Sequence, residues 1–309
     1  MRASFFLVFV FLIAVVGCGS SQSSGPSSAR DPIDVAETRS DAGSSQPETA
    51  EPSRCPEQVR EGDVEVSSDA DLEPLRNVTK VTGSLTIGGS TVTSLESLRC
   101  LEEVGTNLDI WGNPELANLE GLNNVTSVGG ILSISASPAL TSLQGLNGLS
   151  HLEGELIIRG NPSLTNLQGL NGVRRVDGEF TIWTNDGLTS LEGLNNLESV
   201  GVSFNILGNA SLRSFRGLDS LTTVDGNISF SDTVVVDFSG LESLTTVGGN
   251  FTVQRNYSLT SLDGLSGVTS IGGNLYVGIN HPLENLDGLT NITSLGGNLD
   301  IRSNRTLPT

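Results

Sequence analysis

The sequence predicts an all-β protein built as a parallel β-solenoid of about ten coils. The main observation is an apolar pair spaced i, i+2 that recurs at intervals of 24 residues, with two intervals of 23. The pairs are Leu85/Ile87, Leu108/Ile110, Leu132/Ile134, Leu156/Ile158, Phe180/Ile182, Phe204/Ile206, Ile228/Phe230, Phe251/Val253, Leu275/Val277 and Leu299/Ile301. A fixed period of this length is typical of solenoids, in which each coil buries its apolar side only against its neighbours.

Within each pair, the spacing of two residues places both side chains on one face of a strand. The strand is preceded by apolar residues at every third position, for example Leu116, Leu119, Leu122 and Val125. Steps of three describe a chain that turns around corners, and too few residues remain between strands for a long helix. We therefore expect a strand and several bends in each coil.

Two recurrent glycines and one recurrent asparagine mark the predicted corners. A Gly-Gly pair such as Gly129-Gly130 precedes many strands, and we expect positive φ angles there, since only glycine adopts them at little cost. Another glycine, such as Gly121, occupies a Leu-x-Gly-Leu motif. In many coils an asparagine follows the apolar pair by three positions, where we expect it to bond the turn backbone or another asparagine of the same column, and to adopt the left-handed conformation. These asparagines are Asn113, Asn161, Asn185, Asn209, Asn256, Asn280 and Asn304.

The N-terminus has the features of a segment that is removed after export. Arg2 precedes an apolar run of 12 residues, Phe5 to Val16, which is shorter than the ~20 residues of a membrane span and fits the core of a signal peptide. The run ends in Val-Val-Gly-Cys, which resembles the lipobox of bacterial lipoproteins. That resemblance implies a lipoprotein signal peptide at 1–17 and acyl chains such as palmitate on Cys18. The alternative is an ordinary secretory peptide in which the Gly-Cys pair is a coincidence.

Residues 18–54 begin with Cys18 and continue as a stretch rich in Ser, Pro, Gln and Glu, which buries too little apolar surface to offset its ordering entropy. We expect a disordered tether that holds the folded part away from a membrane. The formal charge of −19 argues against nucleic acid as a partner, because the phosphates would repel the chain. Gly19 differs from the aspartate that retains enteric lipoproteins in the inner membrane, so we expect a lipid-anchored position in the cell envelope, on the outer membrane rather than the inner.

Cys55 and Cys100 remain once the lipidated cysteine is set aside, and an even remainder in an exported chain suggests a disulfide. Counting back through the repeat places the two cysteines at one phase, two coils apart. At ~4.8 Å per coil their sulfur atoms begin about 10 Å apart, beyond normal disulfide reach. A Cys55–Cys100 bond therefore requires that the first turn, around Val64 and Val66, be an irregular cap.

The repeat reads Val-Gly-Gly-x-Leu-x-Ile-x-x-Asn-x-x-Leu-x-x-Leu-x-Gly-Leu, which resembles the receptor L-domain family of β-solenoids related to leucine-rich repeats. That family includes ligand-binding halves of hormone receptors, fungal cell-wall proteins and bacterial surface lipoproteins. The resemblance covers Val64 to Leu307, and it implies a right-handed solenoid without the helical outer face of ordinary leucine-rich repeats. We place an N-terminal cap at 55–83 and the repeats at 84–309.

The residue content argues against most catalytic sites. The histidines, His151 and His281, lie at different phases and more than five coils apart, so they do not form a shared triad or metal site. We assign no catalytic residue, and we expect no cofactor and no metal. One alternative is a carboxylate site of the kind used by β-helical polysaccharide-active enzymes, because acidic residues before the corner glycine would stack ~5 Å apart. These pairs are Glu96 with Glu120 and Asp263 with Asp287.

The residues that follow each apolar pair form a predicted outward column, and both tryptophans of the chain fall in it. Trp111 and Trp183 are three coils apart, or ~14 Å, with Arg159 between them. Ile157 also points outward from the strand of Arg159. Flat aromatic rings beside an arginine on a rigid sheet suit a protein hot spot or a sugar platform. We take these four residues as the candidate ligand-binding residues; the alternative is that a loop covers them.

The sequence thus favours a membrane-anchored surface lipoprotein that is not an enzyme and whose solenoid recognises a protein or a glycan. Two alternatives stay open: an envelope spacer without a specific ligand, and a polysaccharide-active enzyme. The last coil reaches Leu307 without a polar cap. We expect an incomplete or frayed last coil; the alternative is end-to-end self-association, because an open strand edge pairs readily with another chain.

Overall fold

The computed structural model describes residues 55–89 and 91–308. These residues form 22 strands, all paired in parallel, with successive coils about 24 residues apart. The predicted all-β solenoid of about ten coils is therefore confirmed. The predicted signal peptide at 1–17, the lipidated Cys18 and the tether to residue 54 lie outside the described residues.

The longer strand of each coil belongs to one sheet, which has eleven strands within the described residues and which we call the broad sheet. Its strands are β2 (Val64–Val66), β4 (Leu85–Gly88), β6 (Leu108–Trp111), β8 (Leu132–Ser135), β10 (Leu156–Arg159), β12 (Phe180–Trp183), β14 (Phe204–Leu207), β16 (Ile228–Ser231), β18 (Phe251–Gln254), β20 (Leu275–Gly278) and β22 (Leu299–Arg302).

A strand of two residues precedes each strand of the broad sheet and belongs to one of two narrow sheets. The first narrow sheet contains β1 (Val59–Arg60), β3 (Lys80–Val81), β5 (Glu103–Val104) and β7 (Ser127–Val128). The second contains β9 (His151–Leu152), β11 (Arg175–Val176), β13 (Ser199–Val200), β15 (Thr223–Val224), β17 (Thr246–Val247), β19 (Ser270–Ile271) and β21 (Ser294–Leu295). The helical segments of the described chain are α1 (Asp69–Leu72) and single 3₁₀ turns at Glu73–Leu75, Glu96–Leu98 and Asp287–Leu289.

The apolar pairs of the broad sheet stack in register and form one wall of a continuous core. Leu108, Leu132 and Leu156 are neighbours on successive strands, and all three are fully buried. In the central coils phenylalanine replaces leucine, and the rings of Phe180 and Phe204 stack with their centroids 5.1 Å apart. Burying one such side chain stabilises the fold by about 1.5–3 kcal/mol, and the neighbouring coils supply the surface that buries it.

The recurrent asparagines form a buried ladder along one corner of the solenoid. Asn185 is fully buried. Its Nδ2 donates to the carbonyl oxygen of Ile158 in the preceding coil at 3.0 Å, and its Oδ1 accepts the backbone N–H of Asn161 at 3.1 Å. Other asparagines of the ladder repeat this pattern, and Thr233 takes the position in one of the shorter coils. Each amide thus pairs a buried carbonyl and a buried N–H that the corner would otherwise leave unsatisfied.

The expectation that the asparagine adopts the left-handed conformation is wrong. Positive φ occurs instead at the residue immediately before the asparagine position: at glycines such as Gly160 (φ 66°) and at other residues such as Ala136 (φ 51°) and Ile279 (φ 60°). An L-residue in this region costs about 1–2 kcal/mol. Because the following residue is held by the buried ladder, the corner keeps this backbone shape even where it lacks glycine.

The expectation of positive φ at the Gly-Gly pairs is also wrong, since Gly129 and Gly130 do not adopt it. Gly129 is required by close approach, because a Cβ atom there would overlap the carbonyl oxygen of Gly105 in the preceding coil. The corner glycine of Leu-x-Gly-Leu is required for two reasons, its positive φ and the close approach of the preceding coil. At Gly121 φ is +111°, and a Cβ would overlap the carbonyl oxygen of Leu95.

A disulfide joins Cys55 to Cys100, whose Cα atoms are 5.6 Å apart. The expectation that this bond requires an irregular turn around Val64 and Val66 is wrong, because both residues lie in β2, in register with β4. Gln58 also stacks on the second coil through backbone hydrogen bonds. The residues before Gln58 therefore pass along the solenoid axis, beside the second coil, to reach the third. The cap at 55–83 is thus a nearly regular coil that extends the broad sheet and the first narrow sheet.

Replacing Asn185 by alanine should lower the free energy of unfolding by roughly 3 kcal/mol, because it leaves a buried carbonyl and a buried N–H without partners. Asn196→Ala is the control: this asparagine also bonds a backbone carbonyl of the preceding coil, that of Asn171, but it is exposed, so we expect a loss below about 1 kcal/mol. Urea unfolding followed by circular dichroism measures both. Equal losses for the two variants would contradict the role given to the ladder.

Gly145→Ala and Gly160→Ala should differ sharply, although both glycines have positive φ. A Cβ at Gly145 would overlap the carbonyl oxygen of Leu119, whereas the nearest atom to a Cβ at Gly160 is Ala136 N at 3.8 Å. We expect Gly145→Ala to cost about 4 kcal/mol or more and Gly160→Ala about 1–2 kcal/mol. Urea midpoints that fall together would show that backbone approach does not set the corner.

Candidate functional site

The alternation of the broad sheet turns two columns of residues away from the core, and both columns run along the solenoid axis. The first column contains Thr86, Asp109, Ser133, Ile157, Thr181, Asn205, Ser229, Thr252, Tyr276 and Asp300. The second column contains Gly88, Trp111, Ser135, Arg159, Trp183, Leu207, Ser231, Gln254, Gly278 and Arg302. The predicted outward column, with both tryptophans and Arg159, therefore exists as one line of neighbours.

Trp111 lies across two glycines of the preceding coil. A Cβ on Gly88 would be 2.5 Å from the indole Nε1, and one on Gly89 would be 3.3 Å from Cη2. The indole thus covers backbone that has no side chain of its own, while 47% of the residue stays exposed. The indole therefore points toward the preceding coil, whereas Arg159 lies two coils in the other direction. The small, buried Ser135 separates the two residues in the column.

Arg159 and Trp183 do meet, on the neighbouring strands β10 and β12. The guanidinium carbon of Arg159 lies 5.8 Å from the centroid of the Trp183 ring, a cation–π distance worth about 0.5–1 kcal/mol at an exposed site. Trp183 is 43% exposed. Ile157 lies half-buried in the first column, on the strand of Arg159. Of the four predicted residues, Arg159 and Trp183 are therefore in contact, Ile157 lies on the strand of Arg159, and Trp111 is separate.

A second aromatic cluster on β20 and β22 is absent from the sequence-based prediction. Tyr276 lies across Gly278 of its own strand, so that a Cβ on that glycine would overlap the phenol ring. Arg302 places its guanidinium carbon 5.2 Å from the centroid of the Tyr276 ring and its Nε 3.5 Å from Asp300. A hydrogen bond to Tyr276 and the charge of Asp300 raise the pKa of Arg302. The sequence does contain a signal for this cluster, because Tyr276 occupies in the first column the position that Ile157 occupies five coils earlier.

Beside this cluster runs an exposed asparagine ladder, formed by the residue that precedes each of four broad-sheet strands. Asn250 Nδ2 donates to Asn227 Oδ1 at 3.2 Å, and Asn274 Nδ2 donates to Asn250 Oδ1 at 3.0 Å. The backbone N–H of Asn298 donates to Asn274 Oδ1 at 2.7 Å. A cleft of about 380 Å³ lies between this ladder and the first column. Its polar lining consists of Asn250, Asn274, Asn298, Thr252, Tyr276 and Asp300.

The acidic residues of the corner motif are exposed and accept no side-chain hydrogen bond among the described residues. This holds for both predicted pairs, Glu96 with Glu120 and Asp263 with Asp287. Residues 55–89 and 91–308 contain no group of three His, Cys, Asp or Glu residues placed to hold a metal ion. These carboxylates therefore present as solvated side chains on a corner of the solenoid.

The two histidines lie apart, as their phases predict. His151, on β9, has its Nε2 2.8 Å from Asp177 Oδ2, and the same carboxylate accepts a hydrogen bond from Arg175. Hydrogen bonds from Arg175 and then from His151 lower the pKa of Asp177. All three side chains are partly exposed, which is typical of a surface ion cluster. His281 follows β20 and lies near the ring of Tyr257.

The last described coil leaves part of its apolar side uncovered. Leu299 is 57% exposed, and Leu286, Ile301 and Leu307 are only partly buried. Strand β22 pairs with β20 and, within the described chain, has no neighbour on its other side. Self-association through this edge stays a prediction.

The sequence matches no protein-family model, and no curated protein resembles it at a significant level. The resemblance to receptor L-domains and bacterial lipoproteins therefore stays a prediction that rests on the repeat and on the N-terminal motif. In the described parts of the chain, the helices are far too short to reach from one side of a membrane to the other.

Proposed function

We propose that this chain is a non-enzymatic lipoprotein of a cell envelope, held by lipid on Cys18, whose broad sheet recognises a protein or a glycan. One observation carries the proposal. Trp111 and Trp183 are 47% and 43% exposed in a single column of a sheet. Neither belongs to the buried core, so neither exposed ring serves to fill the interior of the solenoid.

The arrangement of these side chains suits binding. Tryptophan and arginine are the residues that most often dominate binding energy at interfaces, and here Trp183 and Arg159 are already in contact. Both lie on strands with a paired strand on either side. The backbone beneath them is therefore fixed before a ligand arrives, which lowers the ordering cost of association.

The membrane anchor is supported by the sequence. The apolar run Phe5 to Val16 is followed directly by Gly17-Cys18, and several acyl chains at ~0.8 kcal/mol per buried methylene hold a protein firmly. Gly19 supports the outer membrane as the location. The charge of −19 disfavours nucleic acid and other polyanions as the ligand.

Cys18→Ser should abolish lipid attachment and release the protein from the membrane fraction. The physical reason is that no acyl chain remains to insert into the bilayer. The measurement is incorporation of labelled palmitate, together with fractionation of a bacterial host that expresses the full chain. Ser20→Ala, in the same segment, should remain labelled and membrane-bound. A labelled, membrane-bound Cys18→Ser protein would contradict the anchor.

Trp183→Ala should weaken binding of the ligand by about tenfold or more, since truncating a central aromatic residue of an interface typically costs 2 kcal/mol or more. Trp111→Ala tests the separate tryptophan in the same way. Quantitative pull-down from intact envelopes with the full chain compares both variants with wild type. Tyr257→Ala is the control, because Tyr257 is 56% exposed but lies outside the broad sheet. If both tryptophan variants capture the same molecules as wild type, the hypothesis of an envelope spacer without a specific ligand is favoured instead.

A further inference from the structure

We propose that the cleft between the exposed asparagine ladder and Tyr276 binds a neutral saccharide. This inference rests on the proposed recognition function of the broad sheet and names a ligand class and a second site on it. The cleft lies on β18, β20 and β22, away from the predicted residues on β6, β10 and β12.

The cleft offers hydrogen-bonding groups at fixed positions. Asn250 and Asn274 each donate one Nδ2 hydrogen to the Oδ1 atom of the preceding asparagine in the ladder. The second Nδ2 hydrogen of each is left available for a ligand. In the described chain, the side-chain amide of Asn298 bonds no other protein group, and Asp300 contributes carboxylate oxygens beside it. Amides and a carboxylate together both donate to and accept from hydroxyl groups. A ligand with neighbouring hydroxyls on one ring matches this set.

The cleft also offers one flat apolar surface. Tyr276 is partly exposed, and its ring rests on the bare backbone of Gly278, which has no side chain to lift it away from the sheet. Arg302 places its guanidinium carbon 5.2 Å from the centroid of the ring, so the ring is held between Gly278 and Arg302 before a ligand arrives. The C–H face of a sugar ring packs on such a surface while its hydroxyls meet the amides.

Other ligand classes fit the cleft less well. A peptide strand needs an unpaired sheet edge for its main chain. Strands β18 and β20 each have a paired neighbour on both sides, and the open edge of β22 faces away from β20 and from the cleft. The one leucine that lines the cleft, Leu275, is 2% exposed, so there is no apolar pocket for a peptide side chain. An anionic polymer would meet Asp300 and a chain of net charge −19, while Arg302 already pairs with Asp300 and packs against the Tyr276 ring.

Small polar side chains continue from the cleft toward Trp183. Asn205 Nδ2 and Thr181 Oγ1 each donate to Glu179 Oε1 at 2.8 Å, and Ser229 and Thr252 lie between Asn205 and Tyr276 in the first column. From Thr181 to Tyr276 the column spans four strand spacings, or about 19 Å. An oligomeric saccharide that begins in the cleft would therefore meet further polar side chains along the solenoid axis.

The test is binding of the full chain, in detergent, to immobilised oligosaccharides of glucose, mannose, galactose, xylose and N-acetylglucosamine, with polygalacturonate and alginate as anionic comparators. Calorimetry then measures the affinity for the neutral oligomer that binds best. Tyr276→Ala should weaken this binding about tenfold or more, the effect expected when a stacking ring is removed. Tyr276→Phe keeps the ring and should retain binding within about threefold. Tyr257→Ala should leave it unchanged.

Urea unfolding of each variant shows whether the fold is intact. Asn298→Ala removes an amide of the cleft without changing the Tyr276 ring, and a loss of binding is expected for this variant as well. No binding of wild type to any neutral saccharide would overturn the inference. Loss with Trp183→Ala but not with Tyr276→Ala or Asn298→Ala would overturn the cleft while leaving the proposed recognition function standing. Binding of polyuronates in preference to neutral oligomers, or a protein ligand lost with Tyr276→Ala, would overturn the ligand class.

Discussion

Each coil of this protein depends on the coil beside it to complete its backbone hydrogen bonds. The strands do so by parallel pairing. The corner that follows each broad-sheet strand does so through buried amides such as Asn185, which bonds the carbonyl of Ile158 and the N–H of Asn161. Buried polar groups without partners are costly. The amide ladder therefore holds successive coils to one spacing and one register.

Equal spacing also explains which glycines the chain needs. Backbones of adjacent coils approach so closely at some corners that a single Cβ would overlap the neighbouring carbonyl, as at Gly121 and Gly129. At the corner before the asparagine there is room for a side chain, and Ala136 and Ile279 occupy it despite positive φ. A position whose positive φ would suggest glycine is thus one where larger residues occur. Steric approach between coils, rather than φ alone, decides where glycine is required.

The same register creates the surface proposed to bind ligands. A constant repeat turns any position into a straight column, so residues 24 apart in sequence become neighbours in the sheet. Where the column contains glycine, an aromatic side chain from the same or the next strand lies down over it, as Trp111 does over Gly88 and Tyr276 over Gly278. This arrangement buries part of each ring while keeping much of it accessible. It also fixes the ring, so that a ligand meets a preformed surface.

The period and the alternation of the sequence by themselves determined the solenoid, the buried pairs such as Leu132/Ile134, and the column that contains Trp111, Arg159 and Trp183. These are properties of spacing, and spacing is read directly from a sequence. Tertiary structure alone decided that Trp183 meets Arg159 while Trp111 turns away, that Cys55 reaches across a coil to Cys100, and that Tyr276 forms a cleft with an exposed amide ladder. The physical reason is that side-chain direction depends on which space the neighbouring coils leave empty, and that space is defined only once the coils are stacked.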